Sequence, residues 1–318
     1  MPEWLIERGI GETRAALVED GEIIEACIEL EGIVPAGTVL TARLTSIGVN
    51  GRNAVAATDD GAEYLLPRGA PVVTQGAKLT IQVTRAAIPG AEPWKRPLAR
   101  LSDKESGPPA PPNGRELVFP AAPDELGNLG WDELIDEART GAVAFVGGEL
   151  RLSATPAMTL IDVDGYLPPD ELARAGATAA ARAIRRLGIG GSIGIDLPTV
   201  SSKGARQAAA AAIDAVLPQP FERTAVNGFG FVQIVRPRLR ASLLELAQDR
   251  APFEVRALLR RVSFDTPGSK TIVAHPSVLA MLEQRPAWLE SLSRQMGGVI
   301  GLRTDASVPM SSGYAEQA

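Results

Sequence analysis

The sequence predicts an α/β fold with a separate small β region in its first third. Two short apolar segments that run into aspartate, 158–165 and 192–197, flank an alanine-rich stretch at 170–187 whose aliphatic residues recur with a helical period. This order is typical of two buried parallel strands joined by a crossover helix. Closely spaced alternating segments between residues 38 and 101 predict the β region.

The N-terminal segment, 1–34, is predicted to form antiparallel strands that pack with the α/β core. Apolar and polar residues alternate at 4–7, 14–18 and 23–28. Between the last two of these, Glu19-Asp20-Gly21 has the composition of a hairpin turn. We therefore expect a small antiparallel sheet at the start of the chain.

Segment 35–101 is predicted to be a small β-barrel, because its short strands are divided by Gly, Asn and Asp. The predicted strands are 38–49, 53–57, 62–66, 78–87 and 97–101. Five short strands suit an OB-type barrel, a module that often binds single-stranded nucleic acid. An ordinary small β domain without a ligand fits the same pattern.

A proline-rich stretch at 107–114 makes residues 102–115 a predicted linker, because proline lacks a backbone donor and keeps the chain extended. The α/β core is predicted at 116–249 and a smaller α/β domain at 250–318. The further elements expected in the core are helices at 131–139 and 203–216 and strands at 142–146, 149–152 and 228–235. The small domain is expected to contain helices at 253–261 and 277–283, strands at 270–274 and 299–302, and a frayed tail at 311–318.

Three aspartates are predicted to meet at the carboxyl edge of the core sheet. Asp162 and Asp164 point to the same side because side chains alternate along a strand, and Asp196 ends the next strand along the chain. Neighbouring strands lie about 4.8 Å apart, so carboxylates there repel unless a cation lies between them. Oxygen ligands of this type suit magnesium or manganese. The alternative is structural, since Asp is common in turns and helix caps that follow strands.

A basic turn follows the last strand of the core. Arg236 and Arg238 lie in Arg236-Pro237-Arg238-Leu239-Arg240, where guanidinium groups could bind phosphate in a bidentate manner. This places arginines at the exit of a strand in the same unit as the aspartates. An exposed basic turn without a function is the alternative.

Composition restricts the classes of function. The net charge of −6 argues against a protein coated in phosphate-binding lysines, so contact with nucleic acid requires local basic patches. No apolar run reaches the roughly 18 residues of a membrane span and no basic leader precedes an apolar stretch, so a soluble, cytoplasmic protein without membrane contact is expected. Cys27 is the sole cysteine, which excludes an internal disulfide and a cysteine-based zinc knuckle. His275, the sole histidine, precedes Pro276 ahead of a predicted helix and is expected to be structural.

Six stretches together resemble one known protein family. They are residues 5–29, with Arg14-Ala15-Ala16-Leu17-Val18-Glu19-Asp20-Gly21; 37–101, with Asp59-Asp60-Gly61-Ala62-Glu63 and Leu66-Pro67; 147–164; 179–196; 229–243; and the part beyond 251, with Ser307-Val308-Pro309-Met310. In this order and combination the chain resembles a shortened member of the ribonuclease E/G family. The resemblance implies a ribonuclease H-like/DNase I-like α/β catalytic core, an inserted S1 (OB-fold) barrel and a small C-terminal α/β domain.

The resemblance also implies a function and the residues that perform it. Asp162 and Asp196 would be ligands of Mg²⁺, with Mn²⁺ as a substitute, and Arg236 falls where the family has a phosphate-contacting arginine. Asp164 falls where the family usually has asparagine, which adds negative charge that could tighten the metal or recruit a second one. The implied activity is metal-dependent endonucleolytic cleavage of single-stranded RNA.

Departures from the family pattern change three expectations. The zinc-binding cysteine pair is missing, so any homo-oligomer would not be linked by zinc, and the segment for a 5′-monophosphate pocket is reduced to the linker. In the S1-like part, the expected RNA-stacking positions are Ala57 and Leu65, with Tyr64 the nearest aromatic. The predicted RNA contacts are Tyr64, Lys95, Arg96 and Arg238. Because the expected stacking positions lack aromatic side chains, a non-catalytic RNA-binding or assembly protein that keeps the fold is the alternative to a nuclease.

Overall fold

The computed structural model describes residues 1–90, 95–109 and 113–318. The chain forms two compact units. The first contains Met1–Glu31, Asn113–Thr140 and Leu243–Ala318, and the second contains Gly32–Pro112 and Gly141–Ser242. Residues 110–112 of the predicted linker lie outside the described residues.

The two units contain the following strands and helices. The strands are β1 (Glu3–Arg8), β2 (Glu12–Glu19), β3 (Glu22–Leu30), β4 (Val39–Ser46), β5 (Ala54–Ala57), β6 (Glu63–Leu66), β7 (Lys78–Arg85), β8 (Leu98–Leu101), β9 (Gly114–Leu117), β10 (Ala142–Phe145), β11 (Gly148–Ala154), β12 (Thr159–Gly165), β13 (Gly191–Asp196), β14 (Glu222–Arg223), β15 (Phe231–Arg236), β16 (Lys270–Ala274), β17 (Ile300–Thr304) and β18 (Tyr314–Gln317). The helices are α1 (Glu125–Asn128), α2 (Trp131–Thr140), α3 (Pro169–Arg186), α4 (Lys203–Val216), α5 (Leu243–Gln248), α6 (Arg250–Ser263), α7 (Pro276–Glu283) and α8 (Pro286–Met296).

The first unit contains a sheet of order β3-β2-β1-β9. Strands β1, β2 and β3 form the antiparallel arrangement expected from their alternation. Asp20 and Gly21 both have positive φ, 51° and 83°, as a tight hairpin turn between β2 and β3 requires. Strand β9 pairs in parallel with β1. Gly114 and Arg115, expected in the linker, therefore lie in a strand.

A second sheet in this unit has the order β17-β16-β18 and packs with α6, α7 and α8. The expectation of a frayed tail was wrong, because residues 314–317 form β18 and pair antiparallel with β16. His275 has the structural role expected of it, since its Nδ1 accepts a hydrogen bond from the Ser277 backbone N–H at the start of α7.

Buried ion pairs connect distant segments of the first unit. Glu7 on β1 accepts hydrogen bonds from Arg14 on β2 and from Arg260 on α6, and all three side chains are buried. Arg260 also donates to both carboxylate oxygens of Asp124, at 2.9 and 2.7 Å. Carboxylates and guanidinium groups tolerate burial only when they are paired in this way.

The second unit contains a closed five-stranded barrel of order β4-β5-β6-β8-β7, in which β4 also pairs with β7. All five predicted barrel strands are present. Alternate side chains point inward, and the core includes Leu44, Ala56, Leu66 and Ile81. Strand β6 pairs in parallel with β8 and the other pairs are antiparallel, an arrangement consistent with an OB-fold.

The same unit contains a six-stranded sheet of order β10-β11-β12-β13-β15-β14, which confirms the α/β class. Strands β12 and β13 pair in parallel and are joined by α3, as the sequence pattern predicted. Helix α3 packs closely on β12, because a Cβ built at Gly176 would lie 2.3 Å from Cγ1 of Val163. The side chains that point toward the helices, such as Ile161 and Ile195, are buried, so the opposite face of the strands is left for polar residues.

Across the described part of the chain, no helix combines the length and the hydrophobicity required to span a bilayer.

Candidate functional site

A row of four residues crosses the exposed face of the six-stranded sheet. Asp162 on β12 lies opposite Asp196 on β13. Asp162 is also in register with Arg151 on β11, and Asp196 is in register with Phe231 on β15. Both aspartates are exposed, whereas the residues before and after Asp162 point into the core. The structure thus brings the two predicted metal ligands together at the edge expected from the sequence.

Asp164 lies two residues beyond Asp162 on the same exposed face of β12. Its register partner on β11 is Glu149, which forms an ion pair with Arg151 at 2.6 Å. One guanidinium therefore faces a group of four carboxylates on β11, β12 and β13. The local field is negative and attracts cations.

The pKa of Asp162 is raised in these surroundings. Partial desolvation of its carboxyl group raises the pKa of Asp162 above the ordinary value of 3.8, and the charges of Asp164 and Asp196 raise it further. A hydrogen bond from the Val163 backbone N–H opposes the rise. A carboxyl group whose charge is disfavoured by neighbouring carboxylates is stabilised when a cation binds beside it.

The donor set fits a hard divalent cation. Within residues 1–90, 95–109 and 113–318, no group of three or more His, Cys, Asp or Glu side chains is arranged to hold a metal ion. Magnesium, however, is commonly held by one or two carboxylates together with waters and substrate phosphates. The opposed pair Asp162 and Asp196 supplies such carboxylates, and its oxygen donors suit Mg²⁺ or Mn²⁺ better than zinc.

Arg236 is not brought to the aspartates. Strand β15 runs antiparallel to β13, so Arg236 at the end of β15 pairs with Gly191 at the start of β13. Asp196 lies five positions further along β13, a distance of roughly 17 Å along the strand. The Arg236 Nη1 donates to the Ile189 carbonyl at 3.3 Å. The expected juxtaposition with the aspartates is therefore corrected: Arg236 lies at the opposite edge of the sheet.

Two further predicted RNA contacts also lie away from the aspartates. Arg238 follows Arg236 at that opposite edge, where its backbone packs against Gly190. Lys95 donates to the Pro156 carbonyl at 3.5 Å, in the turn that precedes β12. Neither residue reaches the carboxyl end of β12.

The remaining predicted RNA contacts belong to the barrel. Tyr64 is only 3% exposed and lies in the barrel core, so its ring is not available to stack on a base, which corrects that prediction. Arg96 is exposed, and its Nε forms an ion pair with Glu63 at 2.7 Å. The outward positions on β5 and β6 include Ala57 and Leu65, the two expected stacking positions that lack aromatic side chains.

A cleft of about 770 Å³ opens at the carboxyl edge of β12 and β13. It lies between the first residues of α3, including Asp170, and the loop that leads into α4. Arg206 lines this cleft, and its Nη1 donates to the carbonyls of Val200 and Ser201 at 2.9 and 3.0 Å. Ligands of α/β proteins commonly bind outside the carboxyl ends of the strands, where this cleft is found.

Arg151, whose guanidinium is in register with Asp162, was not among the predicted site residues. The alternation in Glu149-Leu150-Arg151-Leu152 marks Arg151 as outward-facing. Its position opposite Asp162 depends on the register of the β11–β12 hairpin, which the pattern alone does not fix.

Comparison with models of known protein families finds no match, and a search of the curated proteins finds no significantly similar sequence.

Proposed function

We propose that this chain is a divalent-metal-dependent endoribonuclease that cuts single-stranded RNA, with Mg²⁺ as its cofactor and Mn²⁺ as a substitute. The observation that carries the proposal is the register of Asp162 and Asp196, which oppose each other on an exposed sheet face with Asp164 beside them. A protein that only binds RNA has no use for carboxylates that repel its phosphates. Such a group is useful when a cation is held between the protein and the RNA.

Under this proposal the chain is a shortened ribonuclease E/G relative with a ribonuclease H-like/DNase I-like core and an S1 barrel. The barrel supports this assignment, because its closed order β4-β5-β6-β8-β7 is consistent with an OB-fold, the class to which RNA-binding S1 barrels belong. The parallel β12–β13 pair with acids at its carboxyl end supports the catalytic assignment. The protein is proposed to work without sensing a 5′-monophosphate.

The residues divide the chemical tasks as follows. Asp162 and Asp196 would hold the magnesium ion, and Asp164 adds negative charge that strengthens cation binding. When bound, magnesium supplies an activated water and neutralises charge that develops on the phosphate. Arg151, in register with Asp162, is positioned to donate hydrogen bonds to a phosphate oxygen of the RNA. Arg236 has no part in this step, because it lies at the other edge of the sheet.

Two observations favour a second candidate, a non-catalytic RNA-binding or assembly protein that retains the fold. The outward positions of β5 and β6 carry Ala57 and Leu65 in place of aromatic rings, and Arg236 is remote from the aspartates. A chain that had lost catalytic efficiency would show both features. The retained Asp162 and Asp196 favour the nuclease.

The test is cleavage of a labelled single-stranded RNA with Mg²⁺ or with EDTA, beside the variants Asp162→Asn and Asp196→Asn. Cleavage that requires Mg²⁺ and is lost in both variants is the expected result. Asp103→Asn is a matched control, because Asp103 is exposed and lies outside the sheet. Cleavage that persists in EDTA and in the Asp196→Asn variant would refute the proposal of a catalytic metal held by the aspartates. Binding without cleavage on several RNAs supports the second candidate.

A further inference from the structure

Two exposed aromatic side chains flank the aspartates at the carboxyl edge of the six-stranded sheet. Tyr166 directly follows β12 and is 83% exposed, and Phe229 lies two residues before β15 and is 82% exposed. Among the residues that the structure describes, the one other exposed aromatic is Tyr314, at 45%. Two nearly fully exposed rings at one sheet edge are unusual in a chain with only 4% aromatic residues.

The backbone holds both rings at fixed points of the edge. The Tyr166 backbone N–H donates to the Gly147 carbonyl at 3.1 Å. The Phe229 N–H donates to Asn227 Oδ1 at 2.9 Å, and its carbonyl accepts from Thr199 Oγ1 at 3.2 Å. These contacts restrain the main chain while both side chains remain in water. Tyr166 and Phe229 are therefore exposed on turns whose backbone is held by hydrogen bonds.

Glycine at position 230 fixes the chain beside Phe229. Its φ is 92°, and a Cβ added there would lie 2.1 Å from the Leu197 carbonyl oxygen. The Gly230 carbonyl also accepts a hydrogen bond from the Leu197 N–H at 3.3 Å, directly after Asp196. The loop that presents Phe229 is therefore attached to the end of the strand that presents an aspartate.

The sheet order sets the spacing of the two rings. Strand β13, with Asp196 at its end, lies between β12 and β15, so the strands that lead to the two aromatics are about 10 Å apart. A phosphate at the aspartates would have one aromatic ring on each side of it. Bases stack on aromatic side chains only when they are unpaired, because a base inside a duplex is already covered on both faces.

We propose that Tyr166 and Phe229 are stacking surfaces for two unpaired bases of a single-stranded RNA, one on each side of the aspartate pair. The inference rests on the proposed function for the position of the phosphate, and it assigns specificity for unpaired bases to the sheet edge rather than to the barrel. It accounts for an RNA-binding chain whose outward barrel positions Ala57 and Leu65 lack aromatic rings.

The test is equilibrium binding of a fluorescein-labelled oligouridine, followed by anisotropy, to the full chain and to Tyr166→Ala and Phe229→Ala. Each alanine variant is expected to weaken binding by about 5- to 150-fold, the range that corresponds to one lost stacking contact. Tyr166→Phe keeps a ring and should bind as the wild type does. Tyr314→Ala removes a third exposed aromatic, in the other unit, and should also leave affinity unchanged. A labelled RNA duplex without single-stranded ends should bind all variants equally.

Three results would overturn the inference: no oligouridine binding by the wild type, unchanged affinity in both alanine variants, or an equal loss with Tyr314→Ala. Circular dichroism of each variant guards against misfolding, and Tyr166→Phe provides a comparison that keeps the ring. The outcome is separable from that of the proposed function. Loss of oligouridine affinity without any cleavage by the wild type retains the stacking surfaces and rejects the nuclease, whereas magnesium-dependent cleavage with unchanged affinity rejects the stacking surfaces alone.

Discussion

Asp162 and Asp196 lie directly opposite each other on parallel strands β12 and β13, with both carboxylates on the exposed face of the sheet. Like charges at directly opposed positions of a sheet destabilise it by up to about 1 kcal/mol. The pair therefore carries a cost in the metal-free protein that a bound cation would remove.

The stability of the metal-free protein should depend on pH through Asp162. Because its folded pKa is raised above 3.8, the folded state binds this proton more tightly than the unfolded chain does. The resulting stability is fully present below pH 3.8, and it is lost as pH rises through the raised value. Asp162→Asn should therefore exceed the wild type in unfolding free energy by about 0.2–1 kcal/mol above this window. Urea denaturation in EDTA across the acid range measures the difference, which Asp103→Asn should not show.

Arg151→Ala should slow RNA cleavage more than Arg236→Ala does. Arg151 is in register with Asp162, whereas Arg236 pairs with Gly191 at the opposite edge. Loss of one guanidinium contact to a phosphate in the transition state costs about 10²–10³-fold in rate, by analogy with other charge-stabilising donors. Single-turnover cleavage of one RNA by both variants makes the comparison. A larger effect of Arg236→Ala in a folded protein would return the phosphate-binding role to Arg236.

Glu7→Gln should destabilise the first unit strongly. It removes the counter-charge that the buried guanidinium groups of Arg14 and Arg260 share, which costs at most about 3–5 kcal/mol because Glu12 and Asp124 still pair with them. Glu116→Gln is a suitable control, because it breaks only the exposed pair with Arg8 and should cost less than about 1 kcal/mol. Chemical denaturation followed by circular dichroism compares them. Equal midpoints for both variants would refute a stabilising role for the buried network.

Tyr64 should matter for the stability of the barrel and not for RNA affinity. Its ring fills the barrel core, so Tyr64→Ala should destabilise the protein by about 3–5 kcal/mol. Tyr64→Phe keeps the ring and should bind oligouridine as tightly as the wild type. Thermal unfolding and anisotropy test the two statements separately. Weaker RNA binding by a stable Tyr64→Phe protein would show that the hydroxyl reaches the ligand.

The sequence predicted local elements well where composition and periodicity agree. The five barrel strands are separated by turn residues, and the alanine-rich helix α3 lies between two apolar strands, so both features can be read from short windows. The meeting of Asp162 and Asp196 at one edge of the sheet also follows, because a crossover helix makes two neighbouring strands parallel, whereas their direct opposition is set by the register of the strands.

The sequence pattern could not predict the direction of every strand or which side chains of a strand point into the core. Periodicity carries no information about strand direction, so it could not show that β15 runs antiparallel to β13 and carries Arg236 away from Asp196. In Glu63-Tyr64-Leu65-Leu66 either alternation places an apolar residue inside, and only the barrel register selects Tyr64 for the core. The C-terminal strand β18 depends on pairing with β16 and has no strong local signal.

The ion pair between Glu7 and Arg260 joins positions 253 residues apart in the chain. During synthesis β1 leaves the ribosome together with Arg14, but long before Arg260, the second counter-ion of Glu7, has been translated. The barrel and the six-stranded sheet, encoded between these two positions, are by then completely translated. The buried ion pairs between the N-terminal strands and α6 can therefore form only after the residues of the other unit have been translated.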